Sequence, residues 1–201
     1  MKIRKILLGS SLAFSLILSG CAGVAPVKPT QNFNTAEIVG NPQGNITIVE
    51  YYDYECPHCH DQQAVMDQIL ANNPNVRLVY RVYPILTPTS WYAAKAAIAA
   101  NQQGKFLAFH ETLMSINHAP TVADIDAAAQ SVGLNMLQFK QDMNSPIVMK
   151  QIEANIASVG GLSQPTPLIF VGNHTNHVVF NQETSYPALE SAIVSMEASG
   201  Q

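Results

Sequence analysis

The hydrophobic positions change their spacing along the chain, and the changes divide it into elements. Residues 45–52, Asn-Ile-Thr-Ile-Val-Glu-Tyr-Tyr, are dense in β-branched and aromatic side chains and predict a buried strand, in which the carboxylate of Glu50 is out of place. A helical pattern starts near Pro57, sets Val65, Met66, Ile69 and Leu70 on one face, and stops at Asn72-Asn73-Pro74. Residues 76–83 read as a second strand bounded by Pro84, so strand, helix and strand open a βαβ unit with a parallel pair. Over 90–161 strand signals vanish. Helices are expected at 90–103, 105–116, 121–132, 135–143 and 146–159, with Gly104 and Gly133 as stops and Phe106, Phe109 and Leu113 along one stripe. Residues 168–171 and 177–180 then suggest a hairpin around Gly172-Asn173, and 185–198 a closing helix. The expectation is an α/β protein whose β layer is split by a helical block: a first part at 45–88, a helical insert at 89–161 and a second part at 162–201.

The first 44 residues follow different rules. Lys2, Arg4 and Lys5 precede an apolar run over 6–18, which is too short to span a bilayer and reads as an export signal over residues 1–20. Leu18-Ser19-Gly20-Cys21 resembles the lipobox of bacterial lipoproteins. That resemblance implies cleavage before Cys21 and acylation of its thiol and new amino terminus, a membrane anchor in which each buried methylene adds roughly 0.8 kcal/mol. Ala22 stands where aspartate is the usual retention signal in enteric relatives, so the expected place is the periplasmic side of the outer membrane. Residues 21–44, with Pro26, Pro29 and Pro42, read as a tether.

Composition narrows the classes further. Of 201 residues, 47% are hydrophobic and 12% charged, which excludes a disordered charged tail and fits one globular domain. Without the three cations of the signal, 7 basic residues face 14 acidic ones, a net charge of −7. Nucleic acid is excluded as a partner, because no basic patch offsets phosphate repulsion.

With Cys21 assigned to lipid, Cys56 and Cys59 are the two thiols left, in Cys56-Pro57-His58-Cys59 at a strand–helix junction. The first sulfur at a helix start meets unpaired backbone N–H groups and the positive end of the macrodipole, which favours thiolate. Cys59, one turn on, is close enough to close a small disulfide and to attack a mixed disulfide on Cys56. Pro57 suits the first helical position, and His58 can donate to or charge-stabilise the thiolate, making the disulfide more oxidising. Two other readings compete. A structural disulfide gains little chain entropy from so short a loop. A soft metal site would need Cys56, His58, Cys59 and His60 to converge from five consecutive residues, with no second ligand pair evident among His110, His118, His174 and His177, which are expected on surfaces or loops. Trp91 is expected in core or groove packing.

Glu50 six residues before the Cys-x-x-Cys, the strand Val49-Glu50-Tyr51-Tyr52, Gly104-Lys105-Phe106 with Phe109-His110, and Thr166-Pro167-Leu168-Ile169-Phe170-Val171-Gly172 together resemble the DsbA-like thiol:disulfide oxidoreductases over about residues 45–200. The resemblance implies a thioredoxin fold with an inserted α-helical domain. It implies that Cys56 is an exposed nucleophile, Cys59 the resolving cysteine, Glu50 a buried acid assisting proton movement at Cys59, and Pro167 a cis-proline that turns the Thr166 backbone toward an extended client. Pro165 departs from the family, where glycine is common, and competes for the cis role; Pro167 is preferred because a strand follows it directly.

The implied function is a dithiol oxidase that passes its Cys56–Cys59 disulfide to reduced secreted proteins and is itself reoxidised by a quinone-linked, DsbB-like membrane partner. No metal, nucleotide or flavin is called for. The alternatives are a disulfide isomerase or reductase, against which residues 22–44 are too few for a dimerisation module, and a non-catalytic lipoprotein whose groove binds extended peptides.

Overall fold

The structure, a computed structural model, describes residues 38–200; the segment read as an export signal, Cys21 and most of the expected tether lie outside the described residues. Five strands, β1 (Ile38–Gly40), β2 (Ile46–Tyr52), β3 (Val76–Val82), β4 (Leu168–Gly172) and β5 (His177–Phe180), form one sheet in the order β1-β3-β2-β4-β5. β2 and β3 run parallel, joined by helix α1 (Pro57–Asn72) as the βαβ pattern predicts, and the other neighbours are antiparallel. β1 falls inside the stretch expected to be tether. It pairs Ile38 with Val79 and Gly40 with Arg77, so the end of that stretch caps the edge of β3.

Between β3 and β4 lie α2 (Pro88–Gln102), α3 (Phe106–Met114), α4 (Val122–Ser131), α5 (Met136–Met143) and α6 (Pro146–Ser158). α7 (Tyr186–Ser199) follows β5. The first insert helix starts at Pro88, two residues before the expected position. Pro88 takes the first helical position, Thr87 Oγ1 accepts from the Thr89 N–H at 3.0 Å, and Ser90 Oγ accepts from the Thr87 N–H at 3.2 Å. α2 is the axle of the insert: Ala93, Ala94, Ala96, Ala97, Ala99 and Ala100 are buried around it, and α3, α4, α5 and α6 all pack on it. Alanines on every side let the neighbours approach closely without voids.

The sheet separates two apolar clusters. Ile46, Ile48 and Tyr52 of β2 join Cys59, Met66 and Ile69 of α1 and the insert helices on one face. Val49 and Tyr51 join Val79, Val159, Leu168 and Phe170 on the other. The alternation along β2 therefore turns Glu50 toward the α1 face, into the larger cluster.

Candidate active site

Backbone bonds fix the cysteine motif before any side chain acts. At the end of β2 the Cys56 N–H donates to the Asp53 carbonyl at 3.0 Å. The buried Asp53 carboxylate accepts from the N–H groups of Glu55 (2.9 Å), Ile85 (2.8 Å) and Leu86 (3.1 Å), tying the turn after β2 to the segment after β3. Cys56 caps α1 in an extended conformation, with Pro57 behind it and no side-chain cap hydrogen bond. The first-turn N–H groups thus face the sulfur.

The pair is present as two free thiols. Cys56, expected to be exposed, keeps 5% of its surface accessible, and Cys59 keeps 1%. The Cys56 thiol donates to the Thr166 carbonyl at 3.4 Å. The Thr166–Pro167 peptide bond is cis, and Leu168 directly after it begins β4. The Cys59 thiol donating to Cys56 is the largest influence lowering the Cys56 pKa to about 6; the Thr166 side chain and the N–H groups of Cys59 and His58 add to it, and partial burial opposes it. Burial, the hydrogen bond to Cys56 and the charge of Glu50 push Cys59 well up. The two sulfurs are therefore driven apart, one to thiolate and one to thiol.

Glu50 pairs with Tyr80 on one side and Ile169 on the other, with 1% of its surface accessible. Burial, followed by the charge of Cys56, raises its pKa to about 8. Its Oε2 has no hydrogen-bond partner among the described residues. A neutral carboxylic acid is thus stored beside the thiol that resists ionisation.

His58, expected to donate to or charge-stabilise the thiolate, also has a partner outside the motif. Its Nδ1 lies 3.0 Å from Glu183 Oε2, in the loop between β5 and α7. That loop is held from below: the buried Gln62 accepts from the Thr184 N–H at 2.7 Å and donates to the Thr184 carbonyl at 3.2 Å. Glu183 and Gln62 were invisible in the sequence, since no local pattern links positions 125 and 122 residues apart.

His110 is a second correction. Expected on a surface or loop, it is fully buried on α3. Its Nε2 lies 2.9 Å from Gln63 Oε1, which also accepts from the Tyr80 hydroxyl at 3.2 Å, while Gln63 Nε2 donates to Asp67 at 2.9 Å. An oxygen acceptor there requires Nε2 to carry the hydrogen, so Nδ1 accepts from Tyr54 Oη at 3.1 Å, and Tyr54 in turn accepts from Tyr52 Oη at 3.0 Å. With both nitrogens satisfied, the neutral ring stacks on Phe106 and meets Tyr80 at a tilt; burial, then the charge of His60, lowers its pKa to about 3. His60 meets the carbonyls of Tyr54 at 2.7 Å and Met114 at 2.9 Å, joining the motif to the insert. His118 and His174 are exposed, as expected.

Two clefts lie on this part of the molecule, one of them against the motif. One, of about 420 Å³, is lined by Ile85, Leu86 and Trp91; the other, of about 300 Å³, by Pro57, His60 and Ile116. Glu55 stands between them and accepts from the Ser90 hydroxyl at 2.7 Å. Trp91 is half-buried, packed against the larger cluster while lining the first cleft.

A sheet split by a helical insert, a Cys-x-x-Cys at a helix start and a cis-proline opposite it define a member of the thioredoxin superfamily. The chain belongs to the thioredoxin family, whose model matches residues 32–193. A thioredoxin-like oxidoreductase from Silicibacter pomeroyi DSS-3 is 34% identical and superposes with a TM-score of 0.73, covering 80% of this chain and 91% of that one. The thiol-disulfide exchange protein alpha-DsbA2 from Wolbachia pipientis is 22% identical with a TM-score of 0.69, covering 79% and 85%. The protein accordingly has the thioredoxin fold and carries a Cys-x-x-Cys pair at the start of α1. Among curated proteins, the Na(+)/H(+) antiporter NhaA 3 of Salinispora tropica is 29% identical over 179 residues, 86% of this chain and 26% of that protein. The chain thus spans about a quarter of the length of the curated relatives it matches. No helix of the described residues is long and apolar enough to cross a membrane.

Proposed function

We propose that the protein is a dithiol oxidase that donates a Cys56–Cys59 disulfide to reduced client proteins. The observation that carries this reading is the placement of the two sulfurs: Cys56 caps α1, where the first-turn N–H groups favour its thiolate, and Cys59 is buried one turn on, where desolvation favours its thiol. A client thiolate attacks Cys56 Sγ, the Cys56–Cys59 bond breaks, and Cys59 departs with the bonding electron pair. Glu50, still protonated near neutral pH, supplies the proton that Cys59 needs. The second client thiolate then attacks the client's first sulfur in the mixed disulfide, forming the client disulfide and expelling Cys56 as a stable thiolate. The client loses two electrons and the pair gains them. A low-pKa leaving thiol makes the last step fast and favourable. The Thr166 carbonyl beside Cys56 and the cleft lined by Pro57, His60 and Ile116 support docking of an extended client segment.

The reduced pair needs an oxidant, and a DsbB-like membrane partner fits the cycle. The reaction proceeds through the sulfurs without a bound cofactor. The residue 1–20 pattern and the lipobox-like Cys21 support an exported protein with a lipid anchor, on the periplasmic side of the outer membrane. Reduced RNase refolding tests the proposal: Cys56→Ser abolishes oxidation, and Cys59→Ser accumulates mixed disulfides with the client. Full oxidase activity in Cys56→Ser contradicts it. Trapping thiols in cells separates the alternatives, since an oxidase rests oxidised and an isomerase or reductase rests reduced.

A further inference from the structure

His58, between the two sulfurs of the motif, is exposed, but it does not reach outward freely. Its Nδ1 lies 3.0 Å from Glu183 Oε2. The carboxylate is not there by chance rotation of a loose loop, because the residue after it is gripped through both its N–H and its carbonyl by the side chain of Gln62, one turn along α1 from His58. The Thr184 hydroxyl also donates to the Gln182 carbonyl at 2.8 Å, closing the loop on itself. Helix α1 thus carries the imidazole and, four residues on, the amide that holds the imidazole's partner.

We propose that Glu183 is a positioning residue for the redox motif, a carboxylate whose hydrogen bond fixes the orientation and the charge of the His58 imidazole beside the Cys56 thiolate. The inference rests on the reading above in which Cys56 is the reactive sulfur. The charged and titratable groups that face His58 are Glu183 from the β5–α7 loop, Asp61 from α1 and Cys56 itself. The hydrogen bond to Glu183 is the foremost influence raising the His58 pKa, and Cys56 and Asp61 act in the same direction. With Nδ1 bound to the carboxylate, the positive end of the pair is the end held on the motif, and the negative end lies in the loop. Removing the carboxylate lets the ring turn and lose its proton at lower pH, so the thiolate loses its neighbour across the neutral range. Because the side chains are 67% and 45% exposed, solvent screens the pair and the effect is modest.

A double-mutant cycle on the full protein tests this, reading the redox equilibrium with glutathione and the ultraviolet absorbance of the Cys56 thiolate against pH. Glu183→Gln leaves the Gln62 clamp in place, so the loop keeps its fold. The expected results are an equilibrium about two- to fivefold less oxidising at neutral pH and a Cys56 ionisation midpoint moved upward, with Glu183→Asp close to the wild type. In a His58→Ala background Glu183→Gln changes neither readout. An unchanged or more oxidising Glu183→Gln protein, or an equal effect in the His58→Ala background, overturns the inference while leaving Cys56 as the reactive sulfur. A wild-type Cys56 that titrates like a free thiol overturns both readings at once.

Discussion

At the residue scale the protein works by holding two acids out of their ordinary ranges in opposite senses. Cys56 lies at a helix start with a thiol donor, so its anion is favoured; Glu50 is sealed in the core, so its neutral form is favoured. The second fact has a consequence for stability. A carboxyl raised from 4.5 to about 8 keeps its proton in the folded state where the unfolded chain has released it. Glu50 therefore contributes most below pH 4.5, and its contribution falls by about 1.4 kcal/mol per pH unit up to about 8. Glu50→Gln removes that slope and is more stable than the wild type to urea at pH 7.5, with little difference at pH 4.5. Parallel slopes for the two proteins contradict the burial of an acid there. The motif and the misfit of Glu50 in its strand were readable in the sequence because both are local. The partner of His58 was not, since the turn that brings Glu183 to it is made 125 residues later.

At the element scale, α2 carries the insert. Its buried alanines leave no space for growth, so Ala97→Leu destabilises by about 1–3 kcal/mol in chemical denaturation, whereas Leu137→Ala, 73% exposed on α5, changes stability by less than about 0.5 kcal/mol. A tolerated Ala97→Leu would mean that the insert packs loosely. Helix order and approximate bounds followed from spacing alone. His110 did not, because a histidine is buried when partners on other elements satisfy both nitrogens, and those partners, Tyr54 and Gln63, come from the β2–α1 turn and from α1. β1 was missed for a related reason: three residues show no periodicity, and the strand exists through its pairing with β3.

At the scale of the whole molecule, the split fold places one polar cluster where α1, the insert and the cis-proline turn converge, and this couples redox state to folding. The reduced form gains a stabilised thiolate that the oxidised form lacks. A thiol lowered to about 6 contributes fully above its unfolded pKa, and the contribution is lost as pH falls through about 6. The stability of the reduced protein relative to the oxidised one therefore rises by about 2 kcal/mol between pH 5 and pH 8, a difference that paired denaturation curves measure. The disulfide's own contribution does not titrate, and a Glu50→Gln background removes the Glu50 titration that the Cys56 charge helps to shift. A constant difference would mean that the thiolate is not stabilised by the fold.

Most direct of all is the ionisation of Cys56 in the reduced wild-type protein, followed by thiolate absorbance with Cys56→Ser as the blank. A midpoint near 6 is the outcome required by a sulfur held at a helix start by a neighbouring thiol. A midpoint near about 8.5, that of an unperturbed cysteine, would reduce the pair to an inert clasp.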